Sequence, residues 1–436
     1  MNERKDKAVS SLAADYASCM QSVWGWWIFF WIVHVAAHAQ VMHEKVFRRE
    51  IRSVRFHPVG KPLGYPVYRL DEGKKLVLSF DDLSAEYREF HCQILHCDRQ
   101  WRPSKLYPLD YRSGLESEII RNVSYSEGTF QQYAHYEYEF PSDQMRPTRP
   151  GNYVLIVFEN GNLSDTVIVR RFYVVKEQVK VTGQVRVPAL PRYAHTHHDF
   201  FITVDISGMN RPVQPHEFTV VLRQNKSWMW GQDHLLPTQV AGDVLTFDYA
   251  YESSYYLPGH NEWRAFDGRS VRSARFGVRK ITFQNRAYHM TLYPDEPRAT
   301  SDYSFFKDNN GDYYILTDRH QTPEFTADYV YVHFRLKELV PTQGVPYVYG
   351  ALTDWRILPE ARMEYRNGRW ETTLYLKQGY YDYMYVLQQP DGSISFDAIE
   401  GSFYETENDY LILVYYRNPQ LDIDEIVGWV VIKSAQ

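Results

Sequence analysis

The sequence predicts an all-β protein of three tandem β-sandwiches following a cleaved leader. Three observations carry this: period-two alternation of apolar and polar residues, hairpin dipeptides between the alternating runs, and a high aromatic content. Aromatics make up 16% of the 436 residues, with 36 Tyr. Such side chains suit pleated, half-buried surfaces. Alternation sends successive side chains to opposite faces of a sheet. No stretch after Gln40 shows a long helical apolar stripe.

The chain opens differently from how it continues. An apolar block at 23–37 (VWGWWIFFWIVHVAA) ends in Ala37-His38-Ala39 and is followed by Gln40. This is the pattern of a secretory h-region with an A-x-A cleavage site, so residues 1–39 are expected to be a signal peptide. The block is short of the roughly 20 residues a spanning helix needs. The n-region is untidy, because Glu3, Asp6 and Asp15 balance Arg4, Lys5 and Lys7. Nothing later in the chain reads as membrane-spanning. The net charge of −6 weighs against nucleic acid as a partner, since phosphate binding needs a positive field.

Alternation then places the strands in order. Leu76, Leu78 and Phe80 share one face, as do Tyr136, Tyr138 and Phe140. Val330, Val332, Phe334 and Leu336 alternate with Tyr331, His333 and Arg335, and Trp370, Thr372, Leu374 and Leu376 repeat the pattern. The runs at 153–158 and 410–416 are apolar on both sides, as buried sandwich strands would be. Hairpin signals stand at Asn160-Gly161, Asn310-Gly311, Asn367-Gly368 and Asp391-Gly392. Short strands at such spacing indicate immunoglobulin-like sandwiches. The expected units are 40–177, 178–294 and 327–436, with 295–326 as a linker containing one hairpin.

Several constellations could carry chemistry. His91, Cys92, His96 and Cys97 fall in one strand, which sends His91 and Cys97 to one face and Cys92 and His96 to the other. Zinc sites gather their ligands at turns, so packing is expected, with the two cysteines as thiols, or as an unusual bridge if the segment turns. His195, His197, His198 and Asp199 lack a second ligand group. Asp81-Asp82 reads as a turn cap. Residues 308–312 (DNNGD) miss the Gly and Glu of a calcium loop and read as a hairpin turn. No elbow, P-loop or dinucleotide fingerprint occurs, so no catalytic, cofactor or metal residue is named and no cofactor is expected.

The segment 347–355 (YVYGALTDW), followed by 379–386 (GYYDYMYV) and Asp391-Gly392, resembles glycogen-binding and related early-set sandwiches. In those modules sugar rings stack on two tryptophans, helped by a lysine. Trp355 matches the first tryptophan, whereas Ile394 and Met384 stand at the second tryptophan and the lysine. That loss weighs against sugar binding. Trp355, Tyr349, Tyr381 and Tyr383 remain the candidates for contact with a glycan or partner.

A wider resemblance spans about residues 51–430. Its blocks are 51–58 (IRSVRFHP), 62–66 (PLGYP), 78–83 (LSFDDL), 94–98 (ILHCD) with Trp101, 140–147 (FPSDQMRP) with 151–153 (GNY), 292–298 (LYPDEPR), 327–334 (ADYVYVHF), 350–355 (GALTDW), 400–410 (EGSFYETENDY) and 414–417 (VYYR). In that order they resemble the plug protein family of the type IX secretion system of Bacteroidetes. The resemblance implies a non-enzymatic periplasmic protein. It would associate peripherally with the outer-membrane translocon barrel and close its periplasmic mouth when no cargo passes. The alternatives are a periplasmic or surface glycan-binding protein using the C-terminal sandwich, and a secreted cargo. The tail (VVIKSAQ) lacks the short basic terminus expected of cargo.

Overall fold

The computed structural model describes residues 41–318, 322–337 and 344–434, so the expected signal peptide lies outside the described residues. Strands dominate, and helices are limited to single turns. No described helix is long and apolar enough to cross a membrane.

The first sandwich faces the sheet Ile51–Pro58, Leu76–Asp82, Ala134–Phe140 and Asn122–Tyr125 against strands Gly151–Glu159, Thr166–Val175 and Phe90–Cys97. Alternation delivers Leu78, Phe80, Tyr136, Phe90, Ile94, Tyr153 and Phe172 to its core. Phe80 stacks on Tyr136 at 5.1 Å, and Phe90 meets both edge-on.

The opposite face of that second sheet is also dry. Val154, Ile156, Phe158, Tyr173 and Val175 pack with Val221, Leu411, Leu413, Tyr415 and Ile426 in a separate core. The two apolar-on-both-sides runs therefore meet each other. Their sheets are one sheet, continued by the parallel pairing of Val175 with Ile426.

This pairing redraws the expected domain limits. The C-terminal hairpin Asp409–Asn418 and Ile423–Lys433 does not belong to the third unit. Asp409–Asn418 pairs with Phe218–Gln224 over its length and supplies Tyr410, Ile412, Val414 and Tyr416 to the second core. Gly428 permits this closure, because a Cβ there would stand 2.6 Å from Val179 and 2.8 Å from Val181. In exchange, the third sandwich takes strands expected in the second. Arg264–Asp267 pairs with Gly379–Gln388, and Ala287–Leu292 pairs with Tyr329–Lys337.

The expected linker is also partly structural. Its strand Tyr313–Ile315 pairs with Gly379–Gln388. Asn310 and Gly311 form a left-handed turn, but no strand precedes it, so the expected hairpin is absent there. The chain thus runs first, second, third and back to second sandwich. The reason is physical: an alternating strand states that one face is buried, not which sheet buries it.

Asn367-Gly368 closes a true hairpin with both residues left-handed, at φ 51° and 75°. Cys92 and Cys97 are free thiols in separate cores on opposite faces of one strand. Burial pushes both to about 12.

Two outcomes follow from this architecture. A thiol reagent near pH 8 should leave Cys92 and Cys97 unmodified in the native protein and label both after denaturation, read by peptide mapping. Removing residues 405–436 should open the second core and one face of the shared sheet, so limited proteolysis should cut first within 178–258, and 51–176, whose inner core is self-contained, should be cut more slowly. Equal resistance of both segments would contradict the shared hairpin.

Candidate functional site

The three sandwiches meet at one segment, 225–230 (NKSWMW), which follows the strand Phe218–Gln224. Asn225 takes a left-handed φ of 52° and ends the strand. Gly231 restarts it where a Cβ would sit 2.2 Å from the Leu222 carbonyl oxygen. Between them, successive side chains reach different units. Lys226 Nζ pairs with Asp312 at 2.5 Å, and the Ser227 and Tyr349 hydroxyls meet at 2.7 Å, both toward the third sandwich.

Trp228 goes the other way, edge-on to Trp101 of the first sandwich at 5.3 Å. The Arg171 guanidinium lies over both indoles, at 4.5 and 4.7 Å from their centroids. Each such contact contributes about 0.5–2 kcal/mol depending on burial. Trp228 Nε1 donates to Glu44 at 2.9 Å. Burial raises the Glu44 carboxyl above its ordinary range, although Arg170 pulls it back. Trp230 enters the third core against His260, Phe396 and Tyr349.

A cavity of about 110 Å³ lies beside this segment, lined by all three units, among them Arg55, His57, Arg170, Arg223, Asp354 and Trp355. It has room for a few waters. Its charges largely neutralise one another, through Arg170–Asp354 at 2.7 Å and Lys226–Asp312. Burial and then Arg55 push His57 down to about 4, so it is neutral at neutral pH.

A second junction joins the first sandwich directly to the third. Asp81, fully buried, accepts from Lys377 Nζ at 2.5 Å and from the Tyr329 hydroxyl at 2.7 Å. His135 Nδ1 lies 2.6 Å from its other oxygen. The Ser53 and Tyr329 hydroxyls meet at 2.8 Å, and Lys377 Nζ lies 4.1 Å from the Tyr133 ring centroid. Burial opposes ionisation of Asp81, but Lys377 and His135 outweigh it and hold the carboxyl below its usual range. Sequence reading took Asp81-Asp82 as a turn cap. Asp82 does cap, accepting from Ser84 N at 2.9 Å; Asp81 is instead the centre of an interdomain ion pair.

The four residues singled out from the sequence are gathered in the third core rather than at the surface. Tyr349 is fully buried, and Tyr381, Tyr383 and Trp355 expose 3%, 3% and 9%. Trp355 meets Trp263 and Tyr349 edge-on. The Tyr381 hydroxyl donates to the Lys377 carbonyl, and that of Tyr383 to Asp295. All four thus pack in the core of the third sandwich, with only Trp355 also bordering the cavity.

The other constellations also serve packing. His91 stacks on Phe158, while His96 meets Tyr153 edge-on. His198 binds the Tyr410 hydroxyl and the Tyr404 carbonyl, and Asp199 pairs with Arg186. In the 308–312 loop, Asp308 accepts from the Trp263 and Asn310 amides. Burial and then the neighbouring Asp382 raise Asp308 to about 8, and burial raises Asp382 to about 7. Among the described residues no group of three or more His, Cys, Asp or Glu is placed to hold a metal ion.

Residues 51–176 match the family model for the type 9 secretion system plug protein 1st domain. The first sandwich is thus similar to the first domain of the plug proteins. The match begins at the first residue of the strand Ile51–Pro58 and ends one residue past Val175, where the sheet passes to the second sandwich. It supports a type IX secretion-related role for the chain and an envelope-associated location. No curated protein matches the chain significantly. The whole fold is similar to a solved structure of a hypothetical protein from Parabacteroides merdae ATCC 43184, with a TM-score of 0.85 and 24% identity. That similarity covers 90% of this chain and 100% of the other. It shows the fold alone.

Sequence reading missed the wedge at 225–230, although two tryptophans at alternate positions after a strand were its visible signal. The Asp81 junction yields a test. Lys377→Ala leaves a buried carboxylate uncompensated and should cost about 3–5 kcal/mol by denaturant unfolding. A depressed folded pKa gives stability that is whole above the unfolded Asp value of about 3.9 and is lost as pH falls through the folded value. Acid destabilisation below about pH 4 should therefore be shallower in Asp81→Asn than in wild type. Parallel acid profiles would remove Asp81 from the junction's energetics.

Proposed function

We propose that this protein is a non-enzymatic gating subunit of the type IX secretion system. It occupies the periplasmic mouth of the outer-membrane translocon barrel and closes it when no cargo is passing. The observation that carries this reading is the plug-family match over residues 51–176. The architecture suits the task. A stopper in a wide pore must resist deformation, and here three sandwiches are fastened by two buried junctions and one continuous sheet. Packed, two-sided interfaces deform discontinuously rather than gradually.

A gate must also release. That calls for a partner surface with a polar rim, unlike the dry seams between the sandwiches, which resemble obligate interfaces. Much apolar surface is buried between the sandwiches, and exposed side chains such as Tyr107, Leu109 and Tyr251 remain outside for contact with a partner.

The decisive experiment purifies a tagged outer-membrane translocon from cells with and without blocked cargo export. The protein should copurify with the idle complex and be depleted when cargo fills the pore. Absence from both preparations would sink the gating role.

A further inference from the structure

One sheet of the third sandwich meets the Asp81 junction at one end of its outer face, through Tyr329 and Lys377, and extends beyond that junction at the other. The sheet consists of Val278–Gln284, Ala287–Leu292, Tyr329–Lys337, Arg369–Lys377 and Glu364–Arg366. Its inner face gives Met290, Val330, Val332, Phe334, Leu336 and Leu374 to the core. Its outer face holds an open depression of about 540 Å³. Arg279, Lys280, Arg335, His289 and His333 are among its lining, and no acidic side chain is. This is a local reversal of sign in a chain of net charge −6.

The backbone builds that reversal. Val278 pairs with Leu292 and Lys280 with Thr291, so Arg279 is the extra residue of a β-bulge. A bulge re-aims side chains that strict alternation would separate, and here two consecutive cations line one depression. Neither forms an ion pair among the described residues, whereas Glu371 is shared, 3.4 Å from Arg335 and 2.6 Å from Arg369. One carboxylate therefore serves two guanidiniums. Burial lowers the Arg335 pKa, and the charges of Arg369 and Arg279 lower it further against the opposing pull of Glu371.

The rings on this face are arranged for their edges. His289 Nδ1 and His333 Nε2 are 3.0 Å apart in rings inclined by only 11°, with centroids at 5.3 Å, so the two imidazoles meet edge to edge. His333 Nδ1 continues to the Thr373 hydroxyl at 2.8 Å. Tyr331 covers the His289 face at 5.0 Å, and Tyr375 lies 4.6 Å from Tyr331. Sugar recognition uses open ring faces, and these cover one another. With both His333 nitrogens and His289 Nδ1 engaged within the face, what the depression offers a ligand is mainly the cationic groups of Arg279, Lys280 and Arg335, which suit carboxylates.

We infer that this face is a docking surface for an acidic polypeptide segment. The cationic and imidazole groups span three adjacent strands, about 10 Å at normal strand spacing. That width matches successive carboxylates along an extended chain better than one small anion. Charge complementarity of this kind sets association rate and specificity. The inference is independent of the gating role, because it concerns this face whatever the protein assembles with.

The test measures binding of a fluorescent deca-glutamate peptide to the purified protein by anisotropy, at low and high salt. Wild type should bind, and salt should weaken the binding. Arg279→Glu with Lys280→Glu should weaken it by about tenfold or more. Lys180→Glu with Lys307→Glu, exposed cations elsewhere, should leave it within about twofold, since surface changes remote from the site act only through net charge. Thermal melts of both double variants, which alter exposed positions only, report that the fold is intact. No peptide binding by wild type, or equal losses in the two double variants, would overturn the inference. So would binding of phosphatidylglycerol vesicles or dextran sulfate without binding of the peptide.

Discussion

The sheet that passes from Gly151–Glu159 and Thr166–Val175 into Ile423–Lys433 and Asp409–Asn418 is buried on both faces over most of its area, and the rest of the molecule is arranged around that constraint. A two-sided apolar sheet cannot stand alone. Each end needs its own covering layer, which the strands of the first and second sandwiches provide, and the middle needs the two ends to fold against each other. At roughly 25 cal/mol per Å² of apolar surface removed from water, such strands bind their neighbours more firmly than any single polar contact. The first and second sandwiches are therefore one mechanical piece.

The third sandwich is fastened differently, by Trp230 inserted into its core and by polar groups taken out of water. Asp81 with Lys377, Lys226 with Asp312 and Arg170 with Asp354 all bridge to it. Buried ion pairs contribute little net stability against an apolar alternative but are costly to break halfway. They also demand one geometry. Dry packing thus supplies strength across one seam, and paired charges supply register across the other.

Much of the fold was legible in the sequence, and the limits were local in kind. Alternation at Leu76–Phe80 and Val330–Leu336 identified core faces correctly, because burial of one face is a property of the strand itself. The match over residues 51–176 agrees with the family resemblance read from its motifs. The partner of the strand Asp409–Asn418 was not legible. Tyr410, Ile412 and Val414 fit any sandwich, and sequence proximity to Gly379–Gln388 suggested the wrong one. The same limit applied to Trp355 and Tyr349. Their motif stated that a turn and a strand are present, but Trp230, inserted from a distant loop, helps to cover them. Asp81 looked like a cap because its ligands, Lys377 and Tyr329, lie more than two hundred residues away in the chain.

The return of the chain to the second sandwich also imposes an order of events on its making. Strands 180–248 are synthesised early, yet their covering hairpin at 409–433 comes last, after the whole third sandwich has been made. Until then the second unit is an open half-layer with an unpaired edge at Phe218–Gln224. Long-range pairing of this kind is slow and leaves sticky surface exposed. A chain interrupted before residue 409 would keep the second core open along the edge at Phe218–Gln224, the kind of surface on which aggregation starts.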